Sequence, residues 1–541
     1  MKAHCLPFAQ IPHTTRLFTD FLAYSPQVQP FYPHSPHFSE WLKEEASALR
    51  YDSARRERVS TVLERQNRSW QASPQTLANL ERLRSGAAAV VTGQQVGLFG
   101  GPMFAIYKAL TALKLAEEAS NAGVDAVPVF WLATSDHDLA EVNHVAFAGA
   151  DGTLQTVTTT SHDVPSAPVS AVRLGDEILA PLAQAAALLG ETDAMRLLRE
   201  AYRPGENLGT AYARLFARLF AEWGVILLDA SDPELHQLAE PIYRSAIDNA
   251  DRLNGALLAR GEALEAAGYH QQVKVAASTV LLFTMKDGAR TPIHKLVNEE
   301  NVFVIGHEDG AEKISKDELL ARIASGPEQF SPNVLLRPVV QDYLLPTLAY
   351  AGGAAEAAYF SQAGAVYEAV LGRVTPIVPR FSATLVEPKI QKFLERFGIG
   401  LRDVLNGPEA LRRELAARSL PGDLQAAFNE ATQSLEGHLT KIREKLERLD
   451  RTLLEAAQTA GSKMRYQLDR LYTQAARAEL QKSEIVTRKA ELLSQALFPE
   501  KELQERGIGG MTFIARYGID FLHQLHDTMQ TDCHDHQILE L

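Results

Sequence analysis

The sequence predicts an α/β fold built around a parallel sheet. A short apolar run at Ala87–Val91 indicates a buried strand, and a glycine-rich loop and an amphipathic helix from about Pro102 to Ala119 follow it. A second apolar strand ends at about Ala133 and leads into a polar burst at 134–138. Because ligands bind outside the carboxyl ends of parallel strands, both polar segments should meet in one crevice.

The composition bounds the class of protein. The chain has 541 residues and a net charge of −13, so we expect two or three domains and no general affinity for nucleic acid. No apolar run is long enough to span a bilayer, and the N-terminus lacks the apolar core of a signal peptide, so we expect a cytoplasmic protein that does not bind membranes. The only two cysteines, Cys5 and Cys533, exclude a disulfide framework and a zinc–thiolate site.

Changes in composition predict three regions. A Rossmann-type core occupies 1–386, with a helical lead-in and with insertions at about 151–220 and 255–330. A helical region occupies 387–499, and the segment 500–541 returns to a globular composition. We therefore expect this last segment to dock on the core.

The helical region contains a heptad pattern. Apolar residues alternate at spacings of four and three from Leu435 to Ala456, and a second run extends from Met464 to Ala478. This spacing is typical of the packing seam of a coiled coil. The pattern fits a dimer between two chains, and it equally fits an antiparallel hairpin within one chain.

The loop after the first strand is a candidate anion site. Its candidate binding residues are Thr92, Gly93, Gln94, Gln95, Gly100 and Gly101. Glycines let backbone N–H groups approach a ligand, and a helix N-terminus attracts an anion. The alternative is a tight turn that needs glycine at positive φ. Lys108, two turns into the helix, either reaches back toward this loop or lies in solvent.

The second polar segment offers candidate catalytic residues. Asp136 and Asp138 flank His137, and carboxylates raise the pKa of a neighbouring imidazole and suit it to acid–base chemistry. His137, Glu141 and His144 would share one helix face and are weak candidates for a metal site. The remaining alternative is a helix start with Asp136 or Ser135 as the N-cap and with acids in the first turn.

A third group of candidates lies in a largely apolar stretch between 331 and 382. Its members are Arg337, Gln341, Asp342, Gly353, Glu356, Tyr359 and Arg380. Arg337 either clamps a carboxylate or phosphate or pairs with Asp342 inside the protein. Glu356 is a candidate for holding an amine, and Arg380 is a second candidate anion clamp.

Two further patterns carry no catalytic prediction. Residues 312–317 resemble the lysine-serine-lysine loop of class I aminoacyl-tRNA synthetases, but the acidic residues that follow indicate a capped helix. No Ser–His–Asp arrangement is legible, and the two cysteines lie in the end segments. The sequence therefore gives little support for a hydrolase that works by covalent catalysis.

Four separate blocks, in order, make the chain resemble the BshC family, the proposed cysteine-adding enzymes of bacillithiol biosynthesis. The blocks are VVTGQQVGLFGGPMFAIYK, PVFWLATSDHDLAEVNHV, SPNVLLRPVVQDYLLPTLAYAGGAAEAAY and IVPRFS, and LQERG near the C-terminus also fits. The resemblance implies a Rossmann-like core with connecting-peptide insertions similar to those of class I aminoacyl-tRNA synthetases. It also implies a helical coiled-coil domain that supports a homodimer.

The resemblance implies a ligase that joins cysteine to glucosaminyl-malate through an amide bond. A carboxylate is a poor electrophile, so we expect activation by ATP with Mg²⁺. The glycine-rich loop would cradle an anionic group, His137 with Asp136 and Asp138 would orient or deprotonate the amine, and Glu356 would meet an ammonium group. Arg337 and Arg380 would hold malate carboxylates or phosphates. Without zinc–thiolate ligands, cysteine is selected either through a metal on His137, Glu141 and His144 or without metal.

Two other functions remain open from the sequence. The first is a nucleotidyl transferase on the same type of core, acting on a different acceptor. The second is a coiled-coil scaffold or regulator of the pathway without catalytic activity. The polar residues at the predicted strand ends argue against the scaffold, because a site without function has little reason to keep them.

Overall fold

The computed structural model describes the chain except residues 137, 150, 161–166, 297–298, 300, 307–310, 419–421 and 483, and it describes only the backbone of 417, 477, 479–482 and 484–486. The chain forms two compact units. The first comprises Met1–Thr384 and Glu505–Leu539, and the second comprises Leu385–Gln504 and Glu540–Leu541. In the part of the chain that is described, no helix is both long enough and apolar enough to cross a membrane.

The first unit is built on a five-stranded sheet whose neighbouring strands are all parallel. Its strands are β1 (Ala88–Gln94), β2 (Ala126–Leu132), β3 (Ile226–Asp229), β4 (Thr347–Gly352) and β5 (Ile377–Pro379). They lie in the order β5-β4-β1-β2-β3. This is the order of a doubly wound Rossmann sheet, in which the ligand crevice opens between β1 and β4. The predicted α/β class and parallel sheet are confirmed.

Three helices position the residues around this crevice. They are α1 (Phe104–Asn121), α2 (Arg337–Leu344) and α3 (Ala354–Leu371). Helix α1 is buried over most of its surface, and its small residues pack on the sheet in one core cluster with strand residues such as Val90 and Leu348. A helix that is apolar nearly all round belongs in a protein interior. This burial fixes the N-terminal end of α1 beside the carboxyl end of β1.

The other helices of the first unit cover the sheet and its insertions. The lead-in contains Arg16–Leu22, Phe38–Ala48, Ser53–Ser69 and Pro74–Ser85, and later helices are Leu139–Val142, Leu179–Leu189, Asp193–Ala201, Leu208–Leu219, Pro233–Asp248, Ala250–Ala266 and Lys316–Ser325. Side-chain oxygens of Thr15, Asp52 and Ser73 accept from backbone N–H groups at the starts of three lead-in helices. Such capping residues make helix starts legible in the sequence.

The insertions form two antiparallel sheets. One contains Thr279–Lys286, Ala289–Lys295, Val302–Ile305, Glu312–Ser315 and Phe330–Pro332, and the other pairs His144–Ala148 with Leu154–Thr158. The Ser315 hydroxyl accepts from the Glu318 N–H at 3.2 Å and caps the helix that follows. The pattern at 312–317 therefore begins a capped helix, as predicted, and its first residues form a strand that the sequence did not predict.

The C-terminal segment forms the short helix Gln504–Gly507, the helices Met511–Tyr517 and Phe521–Thr528, and the strand His536–Glu540. Its residues Glu505–Leu539 belong to the first unit. The Met103 N–H donates to the Ile508 carbonyl at 2.9 Å, and the Gly509 N–H donates to the Ala146 carbonyl at 2.8 Å. The first bond ties the segment to the loop that precedes α1, and the second ties it to the strand His144–Ala148. They leave Arg506 next to that loop.

Cys5 and Cys533 form a disulfide in the structure. Two cysteines exclude a framework of several disulfides, and one bond is the most that they allow. The strand Lys2–Leu6 lies beside His536–Glu540 in a small sheet, which brings the two cysteines together. Two residues separated by 528 positions give no local signal of pairing.

The second unit is helical. Its helices are Pro388–Phe397, Leu401–Leu405, Pro408–Arg418, α4 (Gly422–Leu449), α5 (Leu453–Lys482) and Glu484–Leu497, and the strand Ala383–Val386 spans the division between the units. The order of the contacts between α4 and α5 is antiparallel, because Glu436 pairs with Arg465 and Phe428 meets Tyr472. The two heptad runs therefore form a hairpin within one chain.

One boundary of the heptad pattern needs correction. The heptad spacing predicts one continuous helical seam from Leu435 to Ala456, but helix α4 ends at Leu449. Asp450 accepts hydrogen bonds from the N–H and the hydroxyl of Thr452, both at 2.8 Å, and this local turn reverses the chain. The spacing of apolar residues continued through the turn by coincidence, so periodicity alone missed it.

Candidate active site

A cavity of about 730 Å³ opens at the carboxyl ends of the central strands, where the strand order reverses. It is lined by residues that the sequence analysis selected, namely Gly93, Gln94, Gln95, Lys108, Asp136, Glu141, Arg337, Gly353, Glu356, Tyr359 and Arg380. It is also lined by residues that were not selected, including Phe104, Trp131, Phe283, Arg290, Asn333, Tyr350 and Arg506. The cavity lies within the first unit.

The glycine-rich loop contributes one wall. A Cβ atom on Gly93 would come within 3.1 Å of Trp131, so glycine permits the close approach of β1 and β2 at this point. The Thr92 hydroxyl donates to the Ala351 carbonyl at 2.8 Å and joins β1 to β4 from inside the sheet. Gly100 and Gly101 have φ of 89° and 68° and form the turn before α1, and neither lines the cavity.

Lys108 and Glu356 form a buried ion pair at the base of the cavity. Their charged atoms lie 2.7 Å apart, and the two side chains are 5% and 15% exposed. The Lys108 ammonium also donates to the Gly93 carbonyl at 2.7 Å and to Gln94 Oε1 at 2.9 Å. Lys108 therefore reaches back to the loop, which is one of the two alternatives left by the sequence. Burial lowers the pKa of Lys108 to about 8, against the opposing effect of Glu356.

Glu356 is held from three sides. Its carboxylate accepts from the Gly353 N–H at 2.7 Å, from the Tyr350 hydroxyl at 2.6 Å and from Lys108. Burial acts to raise the pKa of Glu356, but Lys108 and these hydrogen bonds outweigh it and hold the pKa below its usual value. The ammonium that Glu356 meets in this structure belongs to the protein itself. The pair joins the start of α3 to the loop after β1.

Asp136 and Glu141 give the cavity an acidic side. The Gln95 amide donates to Asp136 Oδ2 at 2.8 Å, and the Arg290 guanidinium lies 3.5 Å from Asp136 Oδ1. Arg290 comes from the antiparallel sheet of the second insertion and stacks 4.0 Å from the centre of the Phe283 ring. The second insertion therefore contacts the acidic side of the cavity through the Arg290–Asp136 pair.

The remaining residues of the second polar segment lie elsewhere. His137 is outside the described residues. Asp138 accepts from the Glu141 N–H at 3.3 Å and caps the short helix that follows. His144 is exposed and does not line the cavity. Among the described residues, no group of three or more histidine, cysteine, aspartate or glutamate side chains is placed to hold a metal ion.

Arg337 lies on the basic side of the cavity. It donates to the Tyr359 hydroxyl at 2.8 Å and to Gln341 Oε1 at 3.2 Å. Asp342 instead accepts from the Gln341 amide at 2.9 Å and from the Tyr367 hydroxyl. The internal Arg337–Asp342 pair that the sequence left open does not form. Gln341 and Asp342 are buried behind Arg337 and support it without lining the cavity.

Arg380 and Arg506 complete the basic side. The Arg380 guanidinium donates to Glu505 Oε1 at 2.5 Å and to the Phe381 carbonyl at 2.7 Å. Arg506 follows Glu505 in the C-terminal segment, and its guanidinium carbon lies 5.7 Å from the centre of the Phe104 ring. In the sequence, LQERG contributes only to the family resemblance, because no local pattern shows that this segment returns to the crevice.

The resulting site is a cavity on a Rossmann-like sheet with an acidic side and a basic side. Such a site suits a substrate that carries both an amine and acidic groups. The surrounding buried tyrosines raise the strength of each charge interaction by excluding water. The fold and the site define a Rossmann-like protein that acts on charged small molecules.

Comparisons with known proteins agree with this class. Residues 1–381 match the model of the N-terminal Rossmann-like domain of the bacillithiol biosynthesis protein BshC, and residues 383–541 match the model of its C-terminal coiled-coil domain. The chain therefore belongs to the BshC family. The predicted family and the predicted Rossmann-like and coiled-coil parts are confirmed.

Relatives span the whole chain. A protein of Koribacter versatilis named "Putative cysteine ligase BshC" is 47% identical over 541 residues, with 100% of both chains covered. Proteins of the same name from Solibacter usitatus and Salinibacter ruber are 34% and 33% identical, covering 100% and 99% of this chain and 100% and 98% of theirs. The predicted ligase class is confirmed by these relatives.

The crystal structure of a "putative arginyl t-RNA synthetase" from Campylobacter jejuni is 11% identical and covers 82% of this chain and 92% of that chain, with a TM-score of 0.22. A score this low carries no argument. The likeness of the insertions to the connecting peptides of class I synthetases stays a prediction.

Proposed function

We propose that this protein joins L-cysteine to glucosaminyl-malate by an amide bond, as the last step of bacillithiol biosynthesis. The relatives' name supports cysteine as a substrate, and the family supports the pathway. The observation that carries the proposal is the two-sided cavity, with Asp136 and Glu141 on one side and Arg337, Arg380 and Arg506 on the other. A sugar amine attached to a dicarboxylate matches these two kinds of charge.

The proposed reaction consumes ATP. Amide formation from a free carboxylate in water needs activation, and ATP supplies it together with Mg²⁺. The residues present fit phosphate groups, because three arginines line one side of the cavity and the N-terminus of α3 begins there at Gly353. Glu141 is the exposed cavity carboxylate that would contact a divalent cation brought in with ATP.

We assign the amine to the acidic side of the cavity. Asp136 would hold and orient the attacking amine, and His137, which the sequence places next to it, would take up its proton. Asp138 already accepts the hydrogen bond of a helix cap, so its proposed part is to fix the segment that carries the other two residues. Glu356 is 15% exposed against 35% for Asp136 and already accepts from Lys108, Tyr350 and the Gly353 N–H. It would therefore shape the site and leave the amine to Asp136.

The first experiment is an end-point assay by mass spectrometry. Purified protein is incubated with cysteine, glucosaminyl-malate and Mg²⁺, with ATP and without it. We expect the amide product only with ATP, and release of ADP or AMP identifies how the carboxylate is activated. Transfer of a nucleotidyl group to another acceptor would favour the nucleotidyl transferase, and no turnover by folded protein would favour the scaffold.

A matched pair of variants tests the assignment of the amine. Asp136→Asn removes a charge from the cavity, and we expect turnover to fall about 100-fold or more if it orients the amine. Asp138→Ser keeps an oxygen that can cap the helix, and we expect it to retain most activity. His137→Ala should also abolish turnover. Equal activity of wild type, Asp136→Asn and His137→Ala would remove this assignment.

We further propose that the second unit forms a homodimer in the cytoplasm through the α4–α5 hairpin. Ile442, Met464, Tyr466 and Leu471 are 50%, 50%, 63% and 56% exposed, which leaves an apolar surface on paired helices. A second hairpin would cover it. Light scattering should give the mass of a dimer for wild type and of a monomer for Ile442→Glu/Leu471→Glu, and a monomeric wild type would refute the proposal.

A further inference from the structure

Three cations surround one aromatic ring at the basic side of the cavity. The Lys108 ammonium lies 5.9 Å from the centre of the Phe104 ring, and the guanidinium carbons of Arg380 and Arg506 lie 5.4 Å and 5.7 Å from it. An aromatic ring attracts a cation at these distances only weakly. The ring therefore does not account for three positive charges gathered around it.

Only two of these cations have a carboxylate partner. Lys108 pairs with Glu356, and Arg380 pairs with Glu505. Among the described residues, Arg506 has neither an ion-pair partner nor a hydrogen-bond acceptor for its guanidinium. The cluster thus holds one more positive charge than negative charges, and the unmatched cation lines the cavity. An anion would complete it.

Glu505 fixes the position of Arg380. Its carboxylate is buried and accepts from Arg380, from the Ser382 hydroxyl at 2.9 Å and from the Ala383 N–H at 2.9 Å. Behind it, His536 lies 2.8 Å from both the Ser382 and the Thr384 hydroxyls. A carboxylate held by this many partners cannot turn toward a ligand. Together with the Phe381 carbonyl it fixes the Arg380 guanidinium, which is 7% exposed and lines the cavity.

We propose that Arg380 and Arg506 form an anion subsite on Phe104 for a carboxylate or phosphate group of a substrate, with Glu505 as the positioning residue of Arg380. The adjacent residues Glu505 and Arg506 then have different roles. Glu505 is buried and positions Arg380, and Arg506 lines the cavity and contacts the ligand. The inference rests on the proposed function for the identity of its ligand. A malyl carboxylate and a nucleotide phosphate share the required chemistry.

Equilibrium binding of two probes distinguishes these sources. Isothermal titration calorimetry of the full chain with L-malate and, separately, with pyrophosphate measures the affinity for each kind of anion. Arg506→Gln should weaken binding of one probe at least about tenfold, the effect of losing a charge-assisted hydrogen bond. Arg58→Gln, at an exposed arginine outside the cavity, should leave both affinities unchanged.

The probe that responds identifies the ligand group. Loss of L-malate affinity assigns the subsite to a carboxylate substrate, and loss of pyrophosphate affinity assigns it to a nucleotide. The proposal would be overturned if Arg506→Gln bound both probes with wild-type affinity. It would also be overturned if the wild type bound neither probe. Because Arg506 is exposed, its replacement should not alter the melting temperature.

Glu505→Gln tests the positioning role. It should weaken binding of the same probe, and in turnover it should raise KM for the anionic substrate more than it lowers kcat. Glu505→Asp should restore part of the affinity, because it keeps the charge. If both variants bind like wild type, Glu505 has no positioning role. If Arg506→Gln loses anion binding but the wild type forms no amide product, the proposed function is refuted and the anion subsite is still supported.

Discussion

The charged residues of the cavity and those of the α4–α5 hairpin form ion pairs of opposite character. Lys108 and Glu356 are 5% and 15% exposed, and each makes further hydrogen bonds. Glu436 and Arg465 on the hairpin are both 46% exposed. A buried pair costs desolvation that hydrogen bonds must offset, whereas an exposed pair costs little and contributes little. The buried pair therefore marks a position where the protein needs a fixed geometry.

The apolar residues show the same contrast. Every residue of β2 is buried, so the central sheet has no freedom to repack without loss of stability. On the hairpin, Leu439 packs on Gly461, while Leu449 at the turn is 76% exposed. The sheet buries its apolar residues within the first unit, whereas the hairpin leaves several of its apolar residues exposed.

The largest expected effect comes from breaking the buried pair. Lys108→Met leaves the Glu356 carboxylate buried without its cation, and we expect a loss of about 3–5 kcal/mol in the free energy of unfolding of the first unit. The double variant Lys108→Met/Glu356→Gln should lose less than the sum of the single variants. Thermal melting of all four proteins measures this coupling. Additive losses would show that the two residues do not act as a pair.

Acid should destabilise the first unit through His536. Burial lowers the pKa of His536 to about 4 from 6.5, so the unfolded chain binds its proton more readily in this range. Stability is therefore lost as pH falls from 6.5 toward 4, by up to about 3 kcal/mol. The melting temperature of His536→Gln should depend less on pH across this window than that of wild type. His438→Gln, on the exposed face of α4, is the control and should keep the wild-type slope.

Two glycines should respond oppositely to alanine. A Cβ atom on Gly509 would lie 2.6 Å from Val145 and 2.7 Å from Phe147, so Gly509→Ala should cost about 1–3 kcal/mol. Gly437 on α4 has no atom within 4 Å of its Cβ position, and Gly437→Ala should stabilise the hairpin by up to about 1 kcal/mol. Melting curves followed by circular dichroism give both signs. Equal effects would mean that the close packing of the C-terminal segment does not matter.

The smallest effect should come from the exposed pair of the hairpin. Glu436→Gln/Arg465→Gln removes both charges, and we expect no measurable change in melting temperature because solvent already screens them. The melting temperature of the wild type in high salt, which screens the same pair, should also show no change that is due to this pair. A clear loss in the variant would erase the distinction between the two regions.

Local features of the chain were predictable where local physics determines them. The apolar run before the glycines forms β1 and the buried helix α1 follows. A capped helix start follows the second strand, but its cap is Asp138 and not Ser135 or Asp136. The hairpin turn at Asp450 was missed because its signal is a side-chain hydrogen bond to Thr452 and not a change in apolar spacing. A turn motif of two or three residues is a weaker signal than an apolar periodicity that extends over several helical turns.

The sequence by itself determined the α/β class, the polar segments at the strand ends and the long amphipathic helices, because apolar periodicity and turn residues act over a few positions. Only the tertiary structure decided that Glu505, 125 positions away, would hold Arg380, and that Arg290 would reach Asp136 from an insertion. Charged residues pair when folding buries them side by side, because desolvation makes an unpaired buried charge costly. That choice depends on the packing of the whole unit and leaves no local trace in the sequence.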